Sequence, residues 1–198
     1  MPDIVVDHVS KAFDGKPVLS DVCFTFPGGR ISALTAPSGA GKTTLLRILL
    51  GLEAPDSGRV TGLEQKRLGA VFQEDRLLER VDVLGNLRLV RPDMGREALS
   101  EALARFGLSG TEDKRADALS GGMRRRLALL RALISDAEVL MLDEPFNGLD
   151  DDTLDHVVRA TVDMIAGRTA ILVSHDPRGQ GLLPIAVKLE LPVPVGRA

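Results

Sequence analysis

Four short, largely apolar runs recur along the chain: 31–34, 68–72, 139–142 and 169–174. None alternates with polar positions, as expected of strands in a parallel sheet covered on both faces. Other stretches do alternate. Val22, Phe24 and Phe26 oppose Cys23 and Thr25 within 18–26, and 185–191 swings between apolar and polar positions, which predicts half-exposed strands. Ile4-Val5-Val6 opens a further strand. Asp14-Gly15-Lys16-Pro17 and Pro27-Gly28-Gly29 read as turns, and Pro55-Asp56-Ser57-Gly58 as a break. Helical spacing appears at 45–50 and again at 151–165. Between them, from 76 to 134, the chain is rich in Leu, Arg, Glu and Ala, with helices expected at 83–90, 96–106 and 123–133. The pattern predicts an α/β chain: a parallel sheet, an antiparallel N-terminal part and an inserted helical subdomain. One domain spans 1–198, with 1–75 and 135–198 as the core and 76–134 as the insert.

Composition narrows the setting. At 198 residues, with 44% apolar and 27% charged positions, the chain is long enough for one well-buried core. A net charge of −3 supplies no general attraction for nucleic acid or anionic lipid. Cys23 is alone, so no disulfide framework is expected; its predicted role is that of a small buried strand residue. The first residues lack a basic region followed by an apolar one, and no apolar run approaches bilayer length. A cytosolic chain is therefore expected, with any membrane role exercised through a partner.

The stretch Ala36-Pro37-Ser38-Gly39-Ala40-Gly41-Lys42-Thr43-Thr44 lies between the strand at 31–34 and the helix at 45–50. Strand, small-residue loop and helix together make a phosphate cradle, because curled backbone N–H groups and the helix dipole converge on one anion. Lys42 supplies a full charge for the outer phosphates, and the Thr43 hydroxyl suits Mg²⁺. The position that opens such loops is usually Gly and here is Ala36, a cost if its backbone needs a positive φ. Strand 139–142 runs into Asp143-Glu144, at the edge where parallel sheets hold ligands. Asp143 is expected to hold Mg²⁺ with Thr43, and Glu144 to orient or deprotonate the attacking water. Ser120-Gly121-Gly122, just before the helix at 123–133, is a helix cap with open N–H groups and no Lys of its own, half of a second anion site. One whole cradle and one partial one invite two copies to meet head to tail. His175, after the strand at 169–174, stands where it can donate to the terminal phosphate or be an ordinary surface His. Phe13 has two readings, a core aromatic at a strand end or a flat surface for an adenine ring; the neighbouring cradle favours the second.

With these motifs in hand, the whole sequence resembles the ATP-binding subunit of an ABC transporter, a P-loop NTPase with a RecA-like core. Phe13 matches the adenine-stacking loop, 36–43 the Walker A loop, Gln73 the Q-loop, 119–123 the signature, Asp143 and Glu144 the end of the Walker B strand, Asp150 the D-loop, and His175 the switch histidine. The resemblance implies ATP and Mg²⁺ as cofactors, with Gln73 joining Thr43 and Asp143 at the metal. It implies a dimer in which each ATP sits between one copy's Walker A loop and the other's Ser120-Gly121-Gly122 and Asp150. Met123 stands where Gln is more usual, Phe13 where Tyr is frequent, and Asn147-Gly148-Leu149-Asp150 varies the D-loop; none removes a catalytic group.

The implied function is an ATPase that energises a membrane transporter, working through integral-membrane permease subunits at the inner face of the cell membrane, with a substrate-binding protein as a further partner. Residues 71–78 and 119–123 look most like those of the nitrate, sulfonate and taurine uptake group. A soluble ABC ATPase acting on ribosomes or DNA is the alternative, but those usually carry two cassettes or a long coiled-coil insert, and the acidic balance offers no basic arm. A degenerate, purely regulatory cassette is disfavoured by the intact Lys42, Asp143, Glu144 and His175.

Overall fold

The computed structural model describes residues 1–174 and 177–193. Two sheets are present among them. Strands β1 (Ile4–Phe13), β2 (Lys16–Phe26) and β4 (Ser57–Thr61) form an antiparallel sheet in the order β2-β1-β4. Strands β3 (Ile31–Thr35), β5 (Leu68–Val71), β6 (Val139–Asp143), β7 (Thr169–Val173) and β8 (Ile185–Glu190) form a parallel sheet in the order β5-β6-β7-β3-β8. The helices are α1 (Lys42–Leu49), α2 (Val83–Arg88), α3 (Arg96–Ala104), α4 (Gly121–Ile134), α5 (Asp151–Ile165) and the short α6 (Pro177–Gly181). The expected mixture of parallel and antiparallel sheets is what the chain forms.

Every residue of β6 and β7 is buried, and the two faces of these strands feed different cores. Leu140, Leu142, Ala170 and Leu172 join the core that contains α2, α3, α4 and α5. Val139, Met141, Ile171 and Val173 join the core made with α1 and the antiparallel sheet. That two-sided burial is why these strands read as unbroken apolar runs. Strand β8 lies at the sheet edge and alternates between half-buried and exposed positions, as its sequence predicts.

Strand β4 has no counterpart in the sequence reading, which sees a break there. Gly58 explains the difference: its φ is +79°, and a Cβ on it would lie 2.3 Å from the His8 carbonyl oxygen. The glycine lets β4 close on β1 rather than ending an element. Cys23 is likewise corrected: it is exposed, not buried. Strand β2 is an edge strand with one face on the core, and the alternation that buries Val22 and Phe26 turns Cys23 outward.

The 76–134 stretch holds together through more than apolar packing. Asn86 is fully buried; its Oδ1 accepts from the Leu78 N–H at 2.9 Å, and its Nδ2 donates to the Leu78 and Asp82 carbonyls at 3.1 and 3.0 Å. The amide thereby pins the loop between β5 and α2: the Leu78 N–H bonds to it, while the Leu78 and Asp82 carbonyls also accept from the Val81 and Asn86 N–H groups.

Candidate active site

The loop after β3 carries the cradle. Gly39 and Gly41 both adopt left-handed backbone, with φ of +74° and +97°. At Gly41 a Cβ would also lie 2.8 Å from the Val18 carbonyl oxygen, so conformation and space both require glycine. Ala36 does not turn left-handed, and its methyl is buried in the core, so alanine is accommodated without backbone strain. Helix α1 begins immediately after Gly41 and carries no acidic residue in its first turn, which leaves the positive end of its dipole open toward the loop.

Lys42 is buried, and its ammonium donates to the carbonyls of Ala36 at 2.8 Å and Pro37 at 3.0 Å. Burial pushes the ammonium below the usual lysine range, while the charges of Glu144 and Asp143 oppose that shift. The Thr43 hydroxyl donates to Asp143 Oδ2 at 3.1 Å. Asp143 is 1% exposed at the end of β6, and Glu144 follows it with a left-handed φ of +49°. Thr43 and Asp143 thus bring two oxygen donors together, and Gln73, which follows β5, lines the same cleft as Thr43; hard oxygen donors suit Mg²⁺.

A cleft of about 740 Å³ gathers Lys42, Thr43, Gln73 and Glu144, with Asp143 bonded to Thr43 but outside the lining. It is lined by Ser38, Gly39, Gly41, Lys42, Thr43, Thr44, Gln73 and Glu144, residues contributed from the carboxyl edges of β3, β5 and β6. Val18 also lines it, as do Phe146, Asn147, Gly148 and Leu149. The sequence points to Phe13 for the adenine and gives no hint of Val18, an ordinary strand valine. Phe13 lies outside the cleft lining. It is 43% exposed, which excludes the core-aromatic reading, and the Lys11 ammonium stands 5.2 Å from its ring centre. His175 falls outside the described residues.

Ser120 caps α4, its hydroxyl accepting from the Met123 N–H at 3.3 Å. Ser120, Gly121 and Gly122 do not line the nucleotide-sized cleft; Gly121 borders a smaller neighbouring hollow of about 330 Å³ with Gln73, Asp75, Arg125, Glu144 and Asn147. A Cβ on Gly122 would lie 3.4 Å from the Gly148 carbonyl oxygen, so the signature turn rests against the segment that leads to Asp150. Asp150 caps α5: its carboxylate accepts from the Thr153 N–H at 2.9 Å and the Thr153 hydroxyl at 3.0 Å, bonds that hold it below the usual carboxylate range.

Arg125 does not stand out in the sequence, where it is the middle one of Arg124-Arg125-Arg126. It is 5% exposed and reaches the backbone of both Gln73 and Glu144. The available signal is periodicity: Arg125 precedes the fully buried Leu129 by four positions and so lies on the inward face of α4.

Comparison with known proteins agrees with this geometry. The pattern of the ABC transporter family matches residues 19–147. The thiamine import ATP-binding protein ThiQ of Mesorhizobium japonicum is 39% identical over 192 residues, covering 87% of this chain and 74% of the relative. The aliphatic sulfonates import ATP-binding protein SsuB 1 of Nocardia farcinica is 42% identical over 177 residues, covering 87% and 71%. Among solved structures, the dimeric structure of MJ0796, described as a bacterial ABC transporter cassette, superimposes with a TM-score of 0.81 at 25% identity, covering 94% of each chain. The cradle of 36–44, the carboxylates at the end of β6 and the capped signature helix thus occur in a chain that belongs to the ABC transporter family and is one of its ATP-binding, ATP-hydrolysing subunits.

Proposed function

We propose that this subunit powers the uptake of a small molecule across a membrane, as a head-to-tail pair of copies docked on integral-membrane permease subunits at the cytoplasmic face. Uptake is supported by the relatives' names, which are those of import ATP-binding proteins for thiamine, formylaminopyrimidine, aliphatic sulfonates and sulfate or thiosulfate. Pairing is supported by the dimeric cassette that shares the fold. Work through a membrane partner fits a chain in which, among the described residues, no helix is long and apolar enough to cross a membrane. A substrate-binding protein completes the proposed assembly.

The observation that carries the chemistry is the hydrogen bond from Thr43, which shares one cleft with Lys42 and Glu144, to the buried carboxylate of Asp143. In this reading the N–H groups of 38–44 and the Lys42 ammonium hold the β- and γ-phosphates. Thr43, Asp143 and Gln73 would hold Mg²⁺, which would neutralise charge on the phosphate oxygens. Glu144 orients the attacking water and takes its proton. Ser120, Gly121 and Gly122 of the second copy, with its Asp150, close over the γ-phosphate, Phe13 stacks on the adenine, and His175 donates to the γ-phosphate. The division into a core of 1–75 and 135–198 and a helical part of 76–134 belongs to the same reading.

The test is Glu144→Gln in the purified chain. This variant is expected to bind ATP with wild-type affinity, to hydrolyse it about a hundredfold more slowly, and to elute as an ATP-dependent dimer on size exclusion. Wild-type turnover would remove Glu144 from the chemistry, and a permanently monomeric variant would remove the shared site.

A further inference from the structure

Arg125 is a buried cation whose hydrogen bonds go not to the cradle but to the two segments that flank it. Its Nε and Nη2 donate to the Glu144 carbonyl at 3.1 and 2.6 Å, and Nη2 also donates to the Asp143 carbonyl at 2.5 Å. On the other side, Nη1 donates to the carbonyls of Phe72 at 2.5 Å and Gln73 at 3.2 Å, and approaches Asp75 Oδ1 at 3.3 Å. Burying a cation is costly unless its donors are all engaged, and a flat fork with five N–H groups meets that demand where a single ammonium does not.

The backbone that it grips is unusual. Glu144 is a non-glycine residue at φ +49°, a conformation that persists only where its surroundings over-determine it. Its N–H is held by the Val173 carbonyl at 2.8 Å and its carbonyl by Arg125, so β7 fixes one side of the residue and helix α4 the other. Arg125 also sits on the helix whose first turn follows Ser120 through Gly121 and Gly122. Neighbouring arginines tie the same helix to the segment after Gln73: Arg124 Nη2 donates to Glu79 at 3.0 Å and Arg131 Nη2 to the Arg76 carbonyl at 2.8 Å.

We infer that Arg125 is a positioning residue for hydrolysis, setting the direction of the Glu144 carboxylate by clamping its left-handed backbone and joining it, with the Gln73 loop, to the signature helix. The inference rests on the assignment of Glu144 as the group that activates water. Arg125 does not line the cleft that carries the cradle, and it acts through Glu144. A displacement of α4 is then felt at the catalytic carboxylate of the same copy.

The experiment compares Arg125→Met and Arg125→Lys in the purified full chain, each with and without Glu144→Gln, by steady-state ATPase kinetics, ATP binding and thermal melting. With Glu144 intact, Arg125→Met is expected to lower kcat about ten- to a hundredfold with KM and ATP affinity kept, and Arg125→Lys, which restores a cationic donor group, to recover part of it. Combined with Glu144→Gln, the same substitutions are expected to cost nothing further. If Arg125→Met does not fold, the lysine pair decides alone. Wild-type kcat in the folded single variants, or an equal additional loss on top of Glu144→Gln, would overturn the inference. Wild-type turnover of Glu144→Gln by itself would instead overturn the assignment of Glu144, a separable result.

Discussion

Thr43 and Asp143 stand 100 positions apart in sequence, and the hydroxyl of one donates to the carboxylate of the other at 3.1 Å. The contact joins the first turn of α1 to the end of β6. It holds two oxygen donors side by side. Asp143→Asn keeps the shape and removes the charge. The Mg²⁺ concentration for half-maximal hydrolysis is therefore expected to rise about tenfold or more, with ATP binding in EDTA unchanged. A Mg²⁺ titration at fixed ATP checks this, and an unshifted midpoint would take Asp143 out of the metal site.

Ser120 is the N-cap of α4 and lies outside the cleft lining of its own chain. A long cationic side chain there obstructs whatever approaches the signature turn from outside. Ser120→Arg is expected to abolish steady-state hydrolysis while a fluorescent ATP analogue still binds the monomer with wild-type affinity. Loss of that binding would mean that the turn serves its own chain's nucleotide.

Asn86 answers several backbone groups at once from a fully buried position. Replacing it with Leu keeps a side chain of similar length and leaves the Leu78 N–H unpaired, at a cost of roughly 2 kcal/mol, while the Leu78 and Asp82 carbonyls keep their backbone donors. For a chain of this size that lowers the melting midpoint by about 4–8 °C. Calorimetry of Asn86→Leu would show it, and an unchanged midpoint would mean that water or a rearranged loop replaces the amide.

His8 Nδ1 lies 2.6 Å from Asp21 Oδ1 on the outer face of the antiparallel sheet. The hydrogen bond to Asp21, followed by the charges of Asp21 and Asp7, raises the imidazole above its ordinary 6.5. A raised folded value stabilises the fold at pH below 6.5, and that contribution is lost as pH climbs through the folded value. Histidine resonances followed by NMR should therefore titrate His8 above 6.5, and Asp21→Asn should bring it back toward that value.

The residues that a sequence displays best are those whose chemistry admits few alternatives. Gly41, Lys42 and Thr43 are legible because strand, small-residue loop and helix follow one another without interruption. Asp143-Glu144 is legible because four buried residues precede it. The runs at 139–142 and 169–174 locate β6 and β7 to within two residues, since burial on both faces leaves no room for polar positions. Strand β4 is hidden because Gly58 marks a close approach and reads as a turn. Cys23 is misplaced because a lone cysteine reads as buried, although the alternation around it points outward. Arg125 is hidden in a row of three arginines, where composition says solvent and only helical phase says interior.

The two apolar cores share β6 and β7, whose alternate side chains enter opposite compartments. The central sheet is thus a common wall, and neither compartment can come apart and leave that wall intact. Slow amide exchange should accordingly peak along these two strands from both sides. A cavity cut against Leu142 on one side or Met141 on the other is expected to loosen the end of the wall that carries Asp143 and Glu144, so damage in either compartment can reach turnover.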